Sequence, residues 1–421
     1  MTPAPTGRRG WLRLLLAQAA LSATAAGARD AGLDAGRDPK RDAQHDAIGP
    51  AAAPSDGAER LLDNQVLPGR RLQFPRDHGA HSGTAIEWWY LTGWLGPPGA
   101  ADAPALAQPM YGFQITFFRV RSPLAAVPSS QAAGRFAPRQ LLMAHVAVTD
   151  LAGRAHHHAQ RLARWSGEET WPEAHARHAD TGLALGPWRL RREADGPRSR
   201  YRCRVAAPEM GLALDLTLTS TQPLLLQGDQ GFSQKGPARA QASHYYTQPQ
   251  LAVRAELGLA GKRQVLAGSA WLDHEWSQSL LPSDAVGWDW MGINLHDGGA
   301  LTAFVLRRAD GSALWGGGSH RPKGGSVRAF EASEVRFSAL AWWTSPATGA
   351  RYPVHWQVDT PLGRFELRAL LDAQEMDGRA GTGLVYWEGL SALHDGQGQR
   401  IGLGYLEMTG RAGKLRLGLS G

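Results

Sequence analysis

The chain has 421 residues, enough for two or three domains that each bury a core of their own. Its 51 glycines, 26 prolines and 16 tryptophans favour short strands joined by turns over long helices. The formal charge of +7 comes from scattered arginines without a basic stripe, so no nucleic-acid partner is expected. The single cysteine, Cys203, excludes an internal disulfide and a multi-cysteine metal site.

The N-terminus has the pattern of an export signal. A basic start that includes Arg8-Arg9 precedes an apolar run over residues 11–26, and Ala26-Gly27-Ala28 is a small-residue cleavage pattern. We predict a signal peptide over residues 1–28, for either the twin-arginine or the general secretory route, because Arg-Arg pairs also occur in ordinary leaders. The mature protein should be periplasmic or secreted, without an integral membrane segment, since no later run approaches roughly 20 apolar residues.

The rest of the chain is predicted to be a tether followed by two all-β domains. Residues 29–60 contain almost no large apolar side chain and should form a disordered tether. Beyond them, apolar and polar side chains alternate with period two, for example over residues 111–117 and 212–218. Such runs recur in both halves, which favours two antiparallel β-barrels in tandem. We place the domains at residues 61–246 and 247–421.

Two tryptophan-rich blocks indicate an internal duplication. They are Ile86-Glu87-Trp88-Trp89-Tyr90 and Gly287-Trp288-Asp289-Trp290-Met291. A shift of 200 residues places Trp88 on Trp288 and Tyr90 on Trp290, and an aromatic strand that ends in arginine follows each block. The two blocks are therefore predicted to be equivalent strands of a repeated fold.

Several segments together resemble a known family. They are residues 74–81, 87–90, 111–114, 144–150 and 271–276. In combination they are similar to the AttH-like, carotenoid 1,2-hydratase-related lipocalin proteins, over about residues 65–406. The resemblance implies two lipocalin-like β-barrel domains. It leaves the activity open, because relatives include carotenoid and phytoalexin hydratases, cyclisation enzymes, and exported proteins known only as predicted secreted hydrolases or components associated with ABC exporters.

The segment Asp273-His274-Glu275-Trp276 carries the residue types that alkene hydration needs. An acid must protonate carbon, and indole faces stabilise the resulting cation. We predict catalytic roles for His274 or Asp273 as the acid and for Trp276 as the cation stabiliser. The hydratases have a His-x-Trp element that resembles His274 and Trp276. Their downstream aromatic-x-Asp element has only the approximate counterpart Trp288-Asp289. On a strand, Asp273 and Glu275 would share one face, and His274 and Trp276 the other.

Further residues are predicted to contact a ligand: Glu87, Trp88, Tyr90, Gln114, His145, Glu275, Trp288, Asp289 and Trp290. An alternative stays open, in which residues 273–276 form a buried polar network with Glu87 and an arginine, and the tryptophans belong to the core. Asp77, His78 and His81 could ligate a metal with Glu87, but the His-x-x-His spacing is a weak signal. We therefore predict neither a metal nor a cofactor.

Three functions are compatible with these patterns. The leading hypothesis is an exported lipocalin-like protein that binds an apolar or amphiphilic small molecule such as an isoprenoid or lipid. The second is a cofactor-independent hydratase, or a related acid-base enzyme, that acts on an isoprenoid-like substrate. The third is a non-catalytic envelope or ABC-exporter accessory protein. A conventional serine or zinc hydrolase is disfavoured, because the sequence lacks a Gly-x-Ser-x-Gly elbow and a His-Glu-x-x-His motif.

Overall fold

The computed structural model describes residues 65–122, 139–170, 172–379 and 381–414. The signal peptide over residues 1–28 and the tether over residues 29–60 lie outside these ranges, so export stays a prediction from the sequence. Within the described ranges, no helix combines the length and the apolar character needed to cross a membrane. Regular structure there consists of strands and four short 3-10 helices, at Arg76–His78, Ala100–Asp102, Pro208–Met210 and Ala332–Glu334.

The first sheet contains thirteen of the described strands, all antiparallel to their neighbours. They are β1 (Ile86–Gly96), β2 (Tyr111–Arg121), β3 (Gln140–Asp150), β4 (Ala155–Trp165), β5 (Ala174–Ala176), β6 (Gly182–Leu185), β7 (Trp188–Asp195), β8 (Arg198–Ala207), β9 (Leu212–Ser220), β10 (Leu225–Leu226), β11 (Phe232–Gln234), β12 (Ala242–Leu259) and β13 (Lys262–Ser277). Their order is β4-β3-β2-β1-β13-β12-β9-β8-β7-β6-β5, with β10 and β11 on β12. The end strands β4 and β5 contact each other, which makes this sheet a nearly closed barrel.

The second sheet contains the remaining ten described strands. They are β14 (Gly287–Leu295), β15 (Ala300–Arg307), β16 (Ala313–Arg321), β17 (Arg328–Phe330), β18 (Arg336–Thr344), β19 (Arg351–Thr360), β20 (Gly363–Ala369), β21 (Glu375–Asp377), β22 (Val385–His394) and β23 (Arg400–Met408). Their order is β17-β16-β15-β14-β23-β22-β20-β19-β18, with β21 on β22, and the sheet curves into a half-barrel. The predicted all-β fold with two antiparallel barrel domains in tandem is confirmed.

The tryptophan blocks occupy equivalent places in the two sheets. Strand β1 begins the first sheet and pairs with the next strand, β2, and with the last strand of that sheet, β13. Strand β14 begins the second sheet and pairs in the same way with β15 and with β23. The predicted duplication therefore matches the strand topology.

The chain passes from the first sheet to the second between Ser277 and Gly287. The link predicted at residues 246/247 instead lies inside β12, which continues to Leu259. Pro249 lies at an irregularity in this strand, because the pairing with β13 shifts register between Gln248 and Leu251. A proline at a bulge disturbs the hydrogen-bond ladder without ending the strand.

Candidate functional site

A pocket of about 950 Å³, counting its open mouth, lies between the two sheets, and we call it the intersheet pocket. Aromatic rings form much of its lining: Trp88, Tyr90, Phe118, Tyr245, Trp288 and Trp290. Five ionisable side chains lie among these rings: Lys235, Asp273, Glu275, Glu388 and Glu407. An apolar pocket with a few convergent polar groups is the usual form of a small-molecule site.

Strand alternation decides which predicted residues reach the intersheet pocket. On the first sheet, Asp273 pairs with Tyr90 and Glu275 pairs with Trp88, and all four face the second sheet. The predicted split of residues 273–276 between two faces is thus seen in the structure. Six of the twelve predicted site residues line the intersheet pocket: Trp88, Tyr90, Asp273, Glu275, Trp288 and Trp290.

The second sheet contributes a row of facing residues. Glu388 on β22 pairs directly with Glu407 on β23, and Glu407 pairs with Trp290 on β14. Residues that pair across neighbouring antiparallel strands lie side by side on one face, and two like charges in such a pair repel each other. The row therefore places two carboxyl groups together in an aromatic environment.

Asp273 and Glu407 approach the intersheet pocket from opposite sheets, and both favour the protonated form. Burial raises the pKa of Asp273 to about 7, although Thr247 donates a hydrogen bond of 2.5 Å to its carboxyl group. Burial also raises the pKa of Glu407 to about 7, against a 3.0 Å hydrogen bond from Nε1 of Trp288. Groups with a pKa near neutrality are suited to both giving and taking a proton.

Glu388 is held more firmly in the neutral form. Burial and then the charge of Glu407 raise the pKa of Glu388 well above its ordinary value. The hydroxyl groups of Tyr90 and Tyr386 lie near enough to oppose this shift, but among the described residues neither carboxyl oxygen makes a hydrogen bond of good geometry, although Glu388 is only 1% exposed. Buried polar groups normally have partners, so an exception of this kind points to a functional role.

Lys235 and Glu275 form an ion pair at the intersheet pocket. The Lys235 ammonium lies 5.2 Å from the centre of the Trp88 ring, and Ser243 donates a 2.5 Å hydrogen bond to Glu275. Burial lowers the pKa of Lys235 to about 7, opposed by the charges of Glu407 and Asp273. The carboxyl groups outnumber this single cation, so the lining favours neutral molecules and developing positive charge over anions.

Gln114 and His145 lie beside the intersheet pocket without lining it. Nδ1 of His145 is 2.7 Å from the hydroxyl of Tyr386, which lines the pocket from the second sheet. Gln114 donates a hydrogen bond to Thr116. His145 thus contacts the pocket lining through the hydroxyl group of Tyr386 and the ring of Phe118.

His274, Trp276 and Glu87 face the interior of the first barrel. Nε2 of His274 is 2.9 Å from Oε1 of Glu87, and Nε of Arg119 is 2.8 Å from Oε2 of the same carboxylate. Burial lowers the pKa of His274 to about 4 despite the opposing effect of Glu87. Burial alone would raise the pKa of Glu87, but Arg119 and His81 outweigh it and hold that pKa well below its ordinary value. Of residues 273–276, His274 thus joins Glu87 and an arginine as the alternative prediction stated, whereas Asp273 and Glu275 face the intersheet pocket.

The same network contains a set of potential metal ligands. Ligand atoms of His81, Glu87 and His274 lie within 4.8 Å of one another. The Glu87 carboxylate already accepts hydrogen bonds from Arg119, from His274 and from the backbone nitrogen of His81. A divalent ion would add charge beside a guanidinium that already neutralises Glu87. We therefore interpret the group as a hydrogen-bonded network that orders the first barrel.

Asp289 also points away from the intersheet pocket. Its carboxylate forms ion pairs with Nε of Arg307 and with an amino group of Arg411, each at 2.8 Å. Neighbouring positions alternate along β14, so Trp288 and Trp290 face the pocket while Asp289 faces the second barrel. Asp289 is thus not the acid of an aromatic-x-Asp element in the pocket.

Three residues of the pocket lining, Lys235, Glu388 and Glu407, were not predicted from the sequence. A usable signal existed, because Tyr386-Trp387-Glu388 and Tyr405-Leu406-Glu407 both have an aromatic residue two positions before a carboxylic acid. That spacing places both side chains on one face of a strand. The predicted counterpart was Trp288-Asp289, whereas the pocket carboxyl groups of the second sheet are glutamates on two later strands.

The chain matches the profile of the AttH-like family over residues 65–411. The crystal structure of an AttH protein from Nitrosomonas europaea is 41% identical, with a TM-score of 0.72, and the match covers 82% of this chain and 99% of that one. Kievitone hydratase from Nectria haematococca shares the fold at 12% identity and a TM-score of 0.59, covering 82% and 95% of the two chains. No curated protein matches the sequence. The chain belongs to the AttH-like family, as its motifs predicted.

Proposed function

We propose that this protein is a cofactor-independent acid-base enzyme, a hydratase or a close chemical relative, for a neutral isoprenoid-like molecule bound in the intersheet pocket. The observation that carries the proposal is the pair Asp273 and Glu407. The two carboxyl groups enter one aromatic pocket from opposite sheets, and burial raises the pKa of each to about 7. At neutral pH such a pair supplies one proton donor and one proton acceptor.

The pair can complete a hydration without an external reagent. The protonated carboxyl group gives its proton to one alkene carbon, which forms a carbon–hydrogen bond and leaves a cation on the neighbouring carbon. A water oxygen bonds to that cation, and the proton released from the water goes to the other carboxylate. The two carboxyl groups exchange roles, and the number of protons on the pair is unchanged.

The aromatic lining suits the cation in this step. Trp88, Trp288 and Trp290 present indole rings to the pocket, and a cation over such a ring gains roughly 0.5–2 kcal/mol. Loss of a proton from the cation instead of capture of water would give isomerisation or cyclisation. The same pocket therefore supports several reactions that begin by protonation of carbon.

Binding without turnover, the leading hypothesis from the sequence, accounts less well for the lining. Placing ionisable groups among apolar rings is costly, and a site that only holds an apolar molecule gains nothing from it. Asp273 and Glu388 are buried at the intersheet pocket, and Glu407 beside them is half-buried. The name of kievitone hydratase, which shares the fold, is in line with hydration, but the acid pair is the support on which the proposal rests.

The proposal is tested in heavy water. The purified protein is incubated in D2O with squalene and, separately, with a nonpolar lipid extract of bacterial envelopes, and the products are analysed by mass spectrometry. Transfer of a deuteron to carbon leaves a carbon–deuterium bond that does not exchange, whichever way the cation then reacts. Hydration adds the mass of one D2O.

Variants locate the chemistry. Asp273→Asn and Glu407→Gln should each abolish deuterium incorporation while leaving the fold intact. The control is Glu366→Gln, which changes a carboxyl group with 40% of its side chain exposed on β20, and it should retain activity. Retained turnover in both acid-pair variants, or a lipid retained by the wild type without any deuterium in it, would show that the proposal is wrong.

A further inference from the structure

We propose that Glu388, Tyr90 and Tyr386 form a hydroxyl-binding subsite in the intersheet pocket, and that His145 fixes the direction of its hydrogen bonds. The inference rests on the proposed function in taking this pocket as the ligand site. It adds that the ligand carries a hydroxyl group. It does not require Asp273 and Glu407 to transfer protons.

Unpartnered polar atoms first identify the subsite. Within the described part of the chain, the carboxyl oxygens of Glu388 and the hydroxyl oxygen of Tyr90 make no hydrogen bond of good geometry, although the two groups lie close enough to shift each other's pKa. The two side chains are nevertheless buried, at 1% and 6% exposure, and both line the intersheet pocket. Leaving such atoms unpaired is unfavourable, so their arrangement fits a polar group of a ligand.

A chain of hydrogen bonds sets which way the Tyr386 hydroxyl points. Nε2 of Gln160 donates to the carbonyl of Gly378, so Oε1 of Gln160 is the acceptor for both the backbone nitrogen and the hydroxyl of Thr382, at 3.2 and 2.8 Å. Since the Thr382 hydroxyl proton is used there, its oxygen accepts from Nε2 of His145 at 3.1 Å. Nδ1 of neutral His145 then accepts the proton of Tyr386 at 2.7 Å.

This direction gives the subsite a defined polarity. Because the Tyr386 proton points to His145, its oxygen can offer only lone pairs to the intersheet pocket. The side chains of Gln114 and Glu388 also lie near that oxygen. Neutral Glu388 supplies an O–H donor, and Tyr386 supplies an acceptor. A ligand hydroxyl group that contacts both accepts one hydrogen bond and donates another, whereas an ether oxygen can only accept.

The remaining lining restricts the molecule that carries this hydroxyl. Phe118, Trp290 and Leu384 surround the pocket with apolar surface. The pocket carboxyl groups disfavour an anionic ligand. The chemical class is thus a neutral alcohol or phenol with an apolar body, whose hydroxyl contacts Glu388 and Tyr386.

Binding of two matched probes tests the subsite without any need for turnover. The affinities of 1-naphthol and 1-methoxynaphthalene for the full chain are measured by isothermal titration calorimetry. The wild type should prefer the naphthol by about tenfold, which corresponds to one hydrogen bond of about 1.4 kcal/mol. His145→Phe and Tyr386→Phe should bring the ratio of affinities close to one. His145→Asn, which keeps an acceptor at the position of Nδ1, should retain the preference.

A control variant and the ether probe separate the outcomes. His355→Phe changes a histidine on β19 that does not line the intersheet pocket, and it should leave the ratio unchanged. Equal affinities of the wild type for both probes would overturn the subsite, as would a preference unaffected by both His145→Phe and Tyr386→Phe. Neither result would contradict proton transfer by Asp273 and Glu407. Conversely, an absence of turnover would not contradict a preference for the naphthol, so the two proposals can fail separately.

Discussion

Asp273 and His274 are consecutive residues on β13, yet their side chains lie on opposite faces of the first sheet. Asp273 lines the intersheet pocket and accepts a hydrogen bond from Thr247. His274 lies inside the first barrel, 2.9 Å from Glu87 and stacked on Trp89 with 4.5 Å between ring centres. A compact sequence motif thus divides into a candidate proton donor and a structural element.

The first prediction separates these two roles. His274→Ala removes a hydrogen bond to the buried Glu87 carboxylate, and should lower the free energy of unfolding by about 2–3 kcal/mol. Urea denaturation measures this change. Deuterium incorporation by the variant, measured at a temperature where it is folded, should continue. A variant of full stability that has lost turnover would instead make His274 the acid.

The second prediction concerns the arginine in the same network. Arg119→Met leaves the Glu87 charge without its partner inside the first barrel, and should cost about 3–5 kcal/mol of unfolding free energy. The matched control is Arg263→Met, because Arg263 pairs with Glu256 in an exposed ion pair and its loss should change stability little. Similar urea midpoints for the two variants would contradict the structural role of Arg119.

The third prediction is a shift in the pH dependence of turnover. Nε1 of Trp288 donates to Glu407 and favours its ionised form, which lowers the pKa of Glu407 against the effect of burial. Trp288→Phe keeps an aromatic ring but removes this donor, so the limb of the rate profile governed by Glu407 should move up by about one pH unit. Trp343→Phe, on β18, serves as the control. If the pH dependence of turnover is unchanged in Trp288→Phe, Glu407 does not take part in the reaction.

The fourth prediction follows from the raised pKa values and concerns stability. In the unfolded chain these carboxyl groups have a pKa near 4, whereas in the folded protein the pKa of Asp273 and of Glu407 is about 7. Between these two pH values the unfolded chain has lost protons that the folded protein still holds. The contribution of these two groups to the unfolding free energy should therefore fall as pH rises through this window, by about 1.4 kcal/mol per pH unit for each group, and level off above it. In thermal denaturation, the decline of Asp273→Asn/Glu407→Gln should be shallower by these two contributions and retain that of Glu388. A decline of equal slope in the variant would exclude these groups as its cause.

Local patterns predicted much of the fold, because strand alternation is encoded in neighbouring residues. The period-two patterns gave strands on both sides of the tryptophan blocks, and they split residues 273–276 between two faces before their partners were known. The domain boundary predicted at residues 246/247 falls inside β12. Tyr245 and Tyr246 are ordinary residues of this strand, and Pro249 lies at an irregularity within it.

The second half of the candidate site required tertiary information. Glu407 lines the same pocket as Asp273 because β23 pairs with β14 and the resulting sheet faces the first one. The hydrogen bond between His145 and Tyr386 joins residues 241 positions apart. No periodicity within a strand encodes which strands close a sheet, so these partners were beyond local reasoning.

Infrared spectroscopy of the protonated carboxyl groups tests the central claim most directly, because it needs no substrate. The carbonyl stretch of protonated carboxylic acids is followed in the wild type from about pH 5 to 9, around the pKa of about 7 of Asp273 and Glu407. We predict a protonated band at about pH 6 that weakens through neutrality and loses intensity in both Asp273→Asn and Glu407→Gln. A spectrum without protonated carboxyl groups at about pH 6, or one unchanged by both substitutions, would contradict an acid pair in the intersheet pocket.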